Sequence, residues 1–416
     1  MNSILTAFAR PRLTKLLSGS RAVVASQVVF ALGQAAILLI LARQGQLETI
    51  GVFTAGLAIF SPLCLLAGLN SRTLIAIAAT SGLSAATAFQ LRAIAILGSG
   101  AIAAALLIPL APDAATLAAA VLLVGTRAAD QLSDVSIGFY QRDGRMDLIA
   151  RSFAIRGLAG LLPFAFVLGL GGAIPLAAAA AALGTTSAVL LLEVRPLTAG
   201  TRTCTSPGLG TALREFLRSP AAFVPLVDSL HINAIRYALV LTSSADFLGL
   251  FGIAQAFFAP VQLLTTAIGY RRLAQARQLV ERGDVLGLKR QAAVGLVLGG
   301  LLSLAFLLGA LLIPTSVLAL AVGDAAPDAR SALLGVAVAF LFWAPNAMVG
   351  YPLIAANRQW AYLLAPLLGN VAFIASLALT HLTGETSVWT VMLLFSMSLL
   401  FRVICTLVAL LRVRPL

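Results

Sequence analysis

The stretch ETIGVFTAGLAIFSP, residues 48–62, aligns without a gap on DFLGLFGIAQAFFAP, residues 246–260. Glu48 pairs with Asp246, Gly51 with Gly249, Phe53 with Phe251, Phe60 with Phe258 and Pro62 with Pro260, each pair 198 positions apart. Arg92 and Arg290 keep the same spacing. Acids, glycine and proline are not generic filler of an apolar helix, so the pattern argues for an internal duplication. What is duplicated follows from composition. Of 416 residues, 60% are hydrophobic and 10% charged, against about 45–50% and about 25% in an ordinary soluble domain. This is a membrane composition, with room for roughly twelve spanning helices of about 20 residues and no sizeable soluble domain besides.

Apolar runs fall at Ala22–Leu41, Ile50–Leu69, Ala93–Leu110, Ala115–Ile137, Leu148–Gly169 and Ala173–Leu192, and then at Ala221–Leu241, Phe247–Ile268, Ala292–Ile313, Ser331–Pro352, Ala361–Leu379 and Val388–Leu411. The expected fold is all-α, a polytopic membrane protein of twelve transmembrane helices in two six-helix lobes, residues 1–192 and 221–416, joined by a connection over 193–220. An even number of spans returns each half to its starting side. The halves are therefore expected to be parallel repeats about an axis along the membrane normal, although their last three spans do not keep the 198-residue register.

Charge sets the orientation. Loops on one side carry Arg72, Arg92, Arg142, Arg145, Arg195, Arg202, Arg214, Arg218, the run from Arg271 to Arg290, Arg358 and the C-terminal Arg412 and Arg414. Loops on the other side carry Arg43 and Arg330 beside six acids, Glu48, Asp113, Asp246, Asp324, Asp328 and Glu385. The positive-inside rule places both termini and the 193–220 connection in the cytoplasm, and the basic N-terminus with Arg10, Arg12, Lys15 and Arg21 reads as an uncleaved cytoplasmic segment. The net charge of +13 is thus claimed by loops, and nucleic acid is not an expected partner. Trp360 and Trp389 sit near span ends, where amphipathic rings are favoured; Trp343 reads as a packing residue.

Most soluble chemistry is excluded. The chain has no phosphate-binding P-loop, no CxxC or HExxH, and only two distant histidines, His231 and His381. Cys64 and Cys405 lie in apolar stretches and Cys204 in a polar loop, so neither disulfides nor a metal site is expected. No cofactor is called for, and no enzyme is expected. Gly169, Gly171 and Gly172 read as a turn between spans.

What demands an explanation is charge inside the spans, where each Arg or Asp costs about 2.5–3.5 kcal/mol unless paired or hydrated. Arg127, Asp130 and Asp134 fall at i, i+3 and i+7 on one face of span four. Arg151 and Arg156 lie in span five, and Asp228, His231, Asn233 and Arg236 in span seven. Two readings stand for the acids: Arg127 with Asp130 and Asp134 with Arg151 form internal ion pairs, or Asp130, Asp134 and Asp228 help to orient and release a substrate. Arg156 and Arg236, with Arg127 secondary, fit a wet cavity that attracts phosphate, because a guanidinium is a planar two-pronged donor. His231, and Ser26, Gln27 and Gln34 in span one, read as interhelical contacts. Pro62, Pro163, Pro225, Pro260 and Pro345 should kink or loosen their spans.

The opening of span one through span two, from Ser26-Gln27 to Leu41-Ala42-Arg43 and on through Glu48-Thr-Ile-Gly51-Val-Phe53 to Ser61-Pro62-Leu63, resembles the Wzx-type polysaccharide flippases of the multidrug/oligosaccharidyl-lipid/polysaccharide (MOP) exporter superfamily. The connection from Asp134 through Tyr140-Gln141-Arg142-Asp-Gly144-Arg145-Met146-Asp147 to Ala150 resembles the same family. The resemblance implies two lobes around a central cationic cavity, in the bacterial inner membrane, that turn a polyprenyl-diphosphate-linked glycan, such as a polysaccharide or O-antigen (lipopolysaccharide) repeat unit, to the outer leaflet. Membrane lipid, H+ or Na+ as coupling ion, and glycan-assembly proteins are the partners it implies. A MATE-like multidrug/cation antiporter of the same superfamily would favour acids in its cavity. A membrane glycan polymerase or acyltransferase would want a large outer loop, and the outer loops here are short. A major-facilitator transporter would carry a signature after span two that Leu69-Asn70-Ser71-Arg72-Thr73 does not resemble.

Overall fold

The computed structural model describes residues 20–68, 72, 75, 84–199, 220–356, 358–384 and 386–413. Arg10, Arg12, Lys15, Leu69 to Ser71, Thr73, Arg202, Cys204, Arg214, Arg218, Glu385 and Arg414 lie outside the described residues.

Long apolar runs satisfy their backbone hydrogen bonds within one helix, as hydrocarbon requires. Spans one to six are Ser20–Arg43, Leu47–Gly68, Ala85–Leu107, Ala114–Arg142, Met146–Gly169 and Ile174–Val189; seven to nine are Pro220–Thr242, Ala245–Glu281 and Val285–Leu312; eleven and twelve are Gln359–Leu382 and Val388–Leu411. Polar caps start several of them: Asp113 accepts from the Thr116 amide at 2.8 Å, and Ser387 from that of Thr390 at 3.1 Å. Eleven helical stretches among the described residues are long and apolar enough to cross a membrane. Span four makes the twelfth by length, 29 residues or about 43 Å, but Arg127, Asp130 and Asp134 interrupt its apolar surface.

Two spans differ from expectation. Span six does not stop at Leu192: a π turn at Leu190–Val194 carries the helix on to Arg195–Ala199. The wider turn rotates the register and leaves Glu193 buried, where the sequence suggests the start of a polar connection. Span ten is broken into Ala326–Ala339 and Trp343–Ala355, and a separate short helix, Thr315–Val322, precedes it. Pro345 falls in the first turn of the new helix, where its missing amide costs no helical hydrogen bond, which is consistent with the break lying just before it. Pro62, Pro163, Pro225 and Pro260 sit within uninterrupted helices.

The halves are built alike. In the first, span one packs on five, five on six and four on six, while two, three and four pack together; in the second, seven packs on eleven, eleven on twelve and ten on twelve, while eight, nine and ten pack together. Between halves, span two meets eight, seven meets two, and one meets eight. A methyl group on Gly51 would collide with the Ala245 carbonyl oxygen, and one on Gly249 with that of Leu47. These two contacts exchange under the 198-residue offset, as a two-fold relation requires, and they explain why both positions are glycine. They lie at the end where spans one and two, and seven and eight, turn. Arg43 joins the halves at the same end by donating to the Leu320 carbonyl. The environments of Arg92 and Arg290 do not match: Arg92 is buried, and Arg290 is exposed. Trp360 and Trp389 are exposed near span ends, whereas Trp343 packs edge-on against Phe258 at 5.7 Å.

Candidate functional site

Below the glycine contact, spans one, two, four, seven and eight line an open cavity of about 750 Å³. Its polar lining is Gln34, Thr54, Arg127, Arg236, Gln255 and Gln262, with no carboxylate among its lining residues. The repeat places span two against span eight at the top of this cavity; spans one, four and seven then bring Gln34, Arg127 and Arg236 to its wall.

Arg236 faces the cavity from the second lobe. Its Nε donates to Gln255 Oε1 at 2.9 Å, Nη2 donates to the same oxygen, and Nη1 donates to Asn233 Oδ1 at 2.5 Å. No acid lies within ion-pair distance of it among the described residues. A guanidinium has five N–H donors, and three bonds to neutral amides leave two free. Arg127 faces the same cavity from the first lobe, 3.5 Å from Asp130.

Arg156 occupies a different environment from the one its sequence suggests. It is 3% exposed and does not line the cavity. Its Nη1 donates to Asp130 at 2.9 Å, its Nε lies 4.0 Å from Glu193, and its guanidinium sits 4.9 Å from both the Phe30 and Phe153 ring centres. Asp130 also accepts from Gln34 Nε2 at 3.0 Å. Glu193 accepts from Ser133 at 2.6 Å and from Ser152 at 2.7 Å. Arg127, Arg156, Asp130 and Glu193 thus form a balanced set of two cations and two anions. The unbalanced charge at the cavity is that of Arg236.

The remaining acids are placed elsewhere. Asp134 pairs with Arg72 at 3.4 Å and Arg92 at 3.8 Å rather than with Arg151, which is exposed. Seven helical positions below Arg127, it faces spans two and three, where Arg92 also donates to the Gln131 carbonyl at 2.8 Å. Asp228 pairs with Arg402 of span twelve, beside Tyr362, and does not line the cavity. His231 is fully buried against Phe395 and Gly369. Of the six charged candidates, Arg127 and Arg236 meet at the cavity.

Three residues escaped the sequence reading. Glu193 closes a run of leucines and looks like a span end until the π turn buries it. Arg402 was within reach of the insertion-cost argument, being a lone cation inside an apolar span. Gln255 lies inside the duplicated stretch, with nothing local to mark it as the holder of Arg236.

No family model matches the chain, and no curated protein matches it in sequence. Solved structures do match. An inward-facing multidrug resistance MATE family transporter of the MOP superfamily superposes with a TM-score of 0.69 at 14% identity, over 92% of this chain and 93% of that one. The lipid II flippase MurJ, in an inward closed conformation, gives 0.67 at 12% identity, over 95% and 87%. A MOP superfamily transporter from Pyrococcus furiosus, described as having a binding pocket of reverse polarity, gives 0.63 at 14% identity, over 95% and 96%. The expected all-helical, many-span architecture is the observed one, and its fold matches that of MOP superfamily transporters.

Proposed function

We propose that the chain is a transporter of the bacterial cytoplasmic membrane, with both termini inside, that flips a polyprenyl-diphosphate-linked oligosaccharide to the outer leaflet by alternating access. One observation carries this reading: Arg236, without an acid partner, opposes Arg127 across a cavity between the lobes that has no carboxylate in its lining. A diphosphate and its sugars cannot cross about 30 Å of hydrocarbon with their polar groups unsatisfied. A polar groove removes most of that cost while the lipid tail stays in the bilayer. The two free donors of Arg236 suit a phosphate oxygen pair, and the amides that hold the guanidinium are neutral, so an anion displaces them without competing against a charge. Gln34, Gln255 and Gln262 offer donors and acceptors for sugar hydroxyls. Rocking of the lobes about the glycine contact would expose the groove to each side in turn.

The MATE-like antiporter reading shares this fold equally. The charge of the cavity separates the two, because a cationic drug is repelled by the unbalanced charge of Arg236 and attracted by free acids, and the acids here are already paired with arginines. Deleting the gene tests the choice. Flipping predicts a polyprenyl-linked glycan that accumulates on the inner leaflet. Normal glycan export with increased retention of a cationic dye would favour the antiporter, and unpolymerised repeat units in the outer leaflet would favour a polymerase.

A further inference from the structure

At the end of the molecule opposite the glycine contact, the first turns of span eleven and the last turns of span twelve part to leave a groove of about 950 Å³ on the outer surface of the second lobe. Its floor is made of small side chains, Ala361, Ala365, Cys405 and Ala409, which leave room that larger residues would fill. Exposed leucine, isoleucine and valine side chains flank it. Arg358 and Arg412 stand at its rim, both exposed, and neither has a carboxylate within ion-pair distance among the described residues. Lys289 adds a third cation beside them, its Nζ donating to the Leu411 carbonyl at 3.1 Å. The acid on the adjoining groove, Asp284, is engaged as the helix cap of span nine, accepting from the Gly287 amide at 2.7 Å. Trp360, 65% exposed two residues from Arg358, marks this level as the membrane interface.

We propose that this groove is a binding site for one anionic phospholipid, with an acyl chain lying on the alanine floor and the headgroup phosphate held between Arg358 and Arg412. The match is one of charge and depth together: the apolar part of the groove faces hydrocarbon, and the cations stand where headgroups lie. A second copy of the chain is a poorer occupant, because a two-fold contact on this face would bring the same arginines together. The site is remote from the cavity between the lobes and is independent of the cargo assigned to it.

Cys405 in the floor supplies the readout. The intact protein, delipidated in neutral detergent, is titrated with phosphatidylglycerol or with phosphatidylcholine, and the rate of alkylation of Cys405 by N-ethylmaleimide is followed by peptide mass spectrometry. Phosphatidylglycerol should protect Cys405 at a concentration about tenfold lower than phosphatidylcholine does, as two interfacial arginines imply. The R358A/R412A variant should lose that preference, R358K/R412K should keep it, and A361W, which fills the groove, should retain neither lipid in native mass spectra. Equal protection by both lipids, or a preference that survives R358A/R412A, would overturn the proposal. So would protection that rises with protein concentration without lipid, which would mark a dimer face, or protection by a polyprenyl diphosphate but not by phosphatidylglycerol, which would give the groove to the cargo.

Discussion

Arg156 and Arg236 look alike in the sequence, each a deep arginine in an apolar span, yet the structure gives them opposite surroundings. In the first lobe Arg156 is enclosed by two carboxylates and two aromatic rings. In the second lobe Arg236 is held by the neutral oxygens of Gln255 and Asn233 and opens onto a cavity. The cost of placing an arginine in a membrane is met in the first case by internal carboxylates and in the second by neutral amides at a polar groove. An arginine whose charge is already balanced serves the fold; one whose charge is not is available to a ligand.

The largest expected effect breaks the first side of that comparison. Removal of one partner from a buried ion pair leaves an uncompensated charge and costs about 3–5 kcal/mol. Arg156→Ala should therefore lower the yield of folded protein and its melting temperature in detergent sharply. A stable, well-expressed Arg156→Ala protein would show that Asp130 and Glu193 do not depend on it.

A smaller effect should come from the hydroxyls behind Arg156. Ser133→Ala deletes one of the two hydroxyl donors to the buried Glu193, and a hydrogen bond to a charged group contributes about 1.5–3 kcal/mol. Thermal melting should register the loss, and Ser133→Thr, which keeps a hydroxyl, should restore part of it. No change in Ser133→Ala would remove Glu193 from the structural network.

The smallest effect concerns an exposed carboxylate on the same span four. The Thr116 amide and hydroxyl, bonded to Asp113 at 2.8 and 3.1 Å, hold its carboxyl below the ordinary aspartate value. A lowered folded pKa means that the contribution is full above the unfolded value of about 3.9 and fades as pH falls through the lowered one. Asp113→Ala should reduce the melting temperature slightly at neutral pH, and the difference should shrink in acid. A difference that grows in acid would contradict the cap.

Much of this architecture was legible beforehand, because span length follows from hydrocarbon thickness, which acts on each segment separately. The duplicated stretch was legible for a sharper reason: Gly51 and Gly249 have no room for a Cβ, so steric demand left its mark at both positions. The partners of the charges were not legible. Asp134 turns to Arg72 and Arg92 rather than to Arg151, and Asp228 to Arg402, because those choices depend on how helices distant in sequence rotate against one another. Glu193 shows the same limit within one helix, where a single π turn decides whether the side chain faces inward.

The central claim is that the unbalanced charge of Arg236 holds the anionic part of the cargo. Its most direct test is flipping of a polyprenyl-diphosphate-linked glycan by reconstituted wild-type, Arg236→Lys and Arg236→Ala protein, normalised to folded protein in the vesicle. Arg236→Ala should fold like wild type, since no buried carboxylate loses its partner, and should lose tenfold or more of the flipping rate, the order expected for about 1.4 kcal/mol or more of lost phosphate contact. Arg236→Lys, which keeps the charge but not the fork, should fall between the two. Wild-type flipping by folded Arg236→Ala would contradict the account and move the antiporter reading ahead.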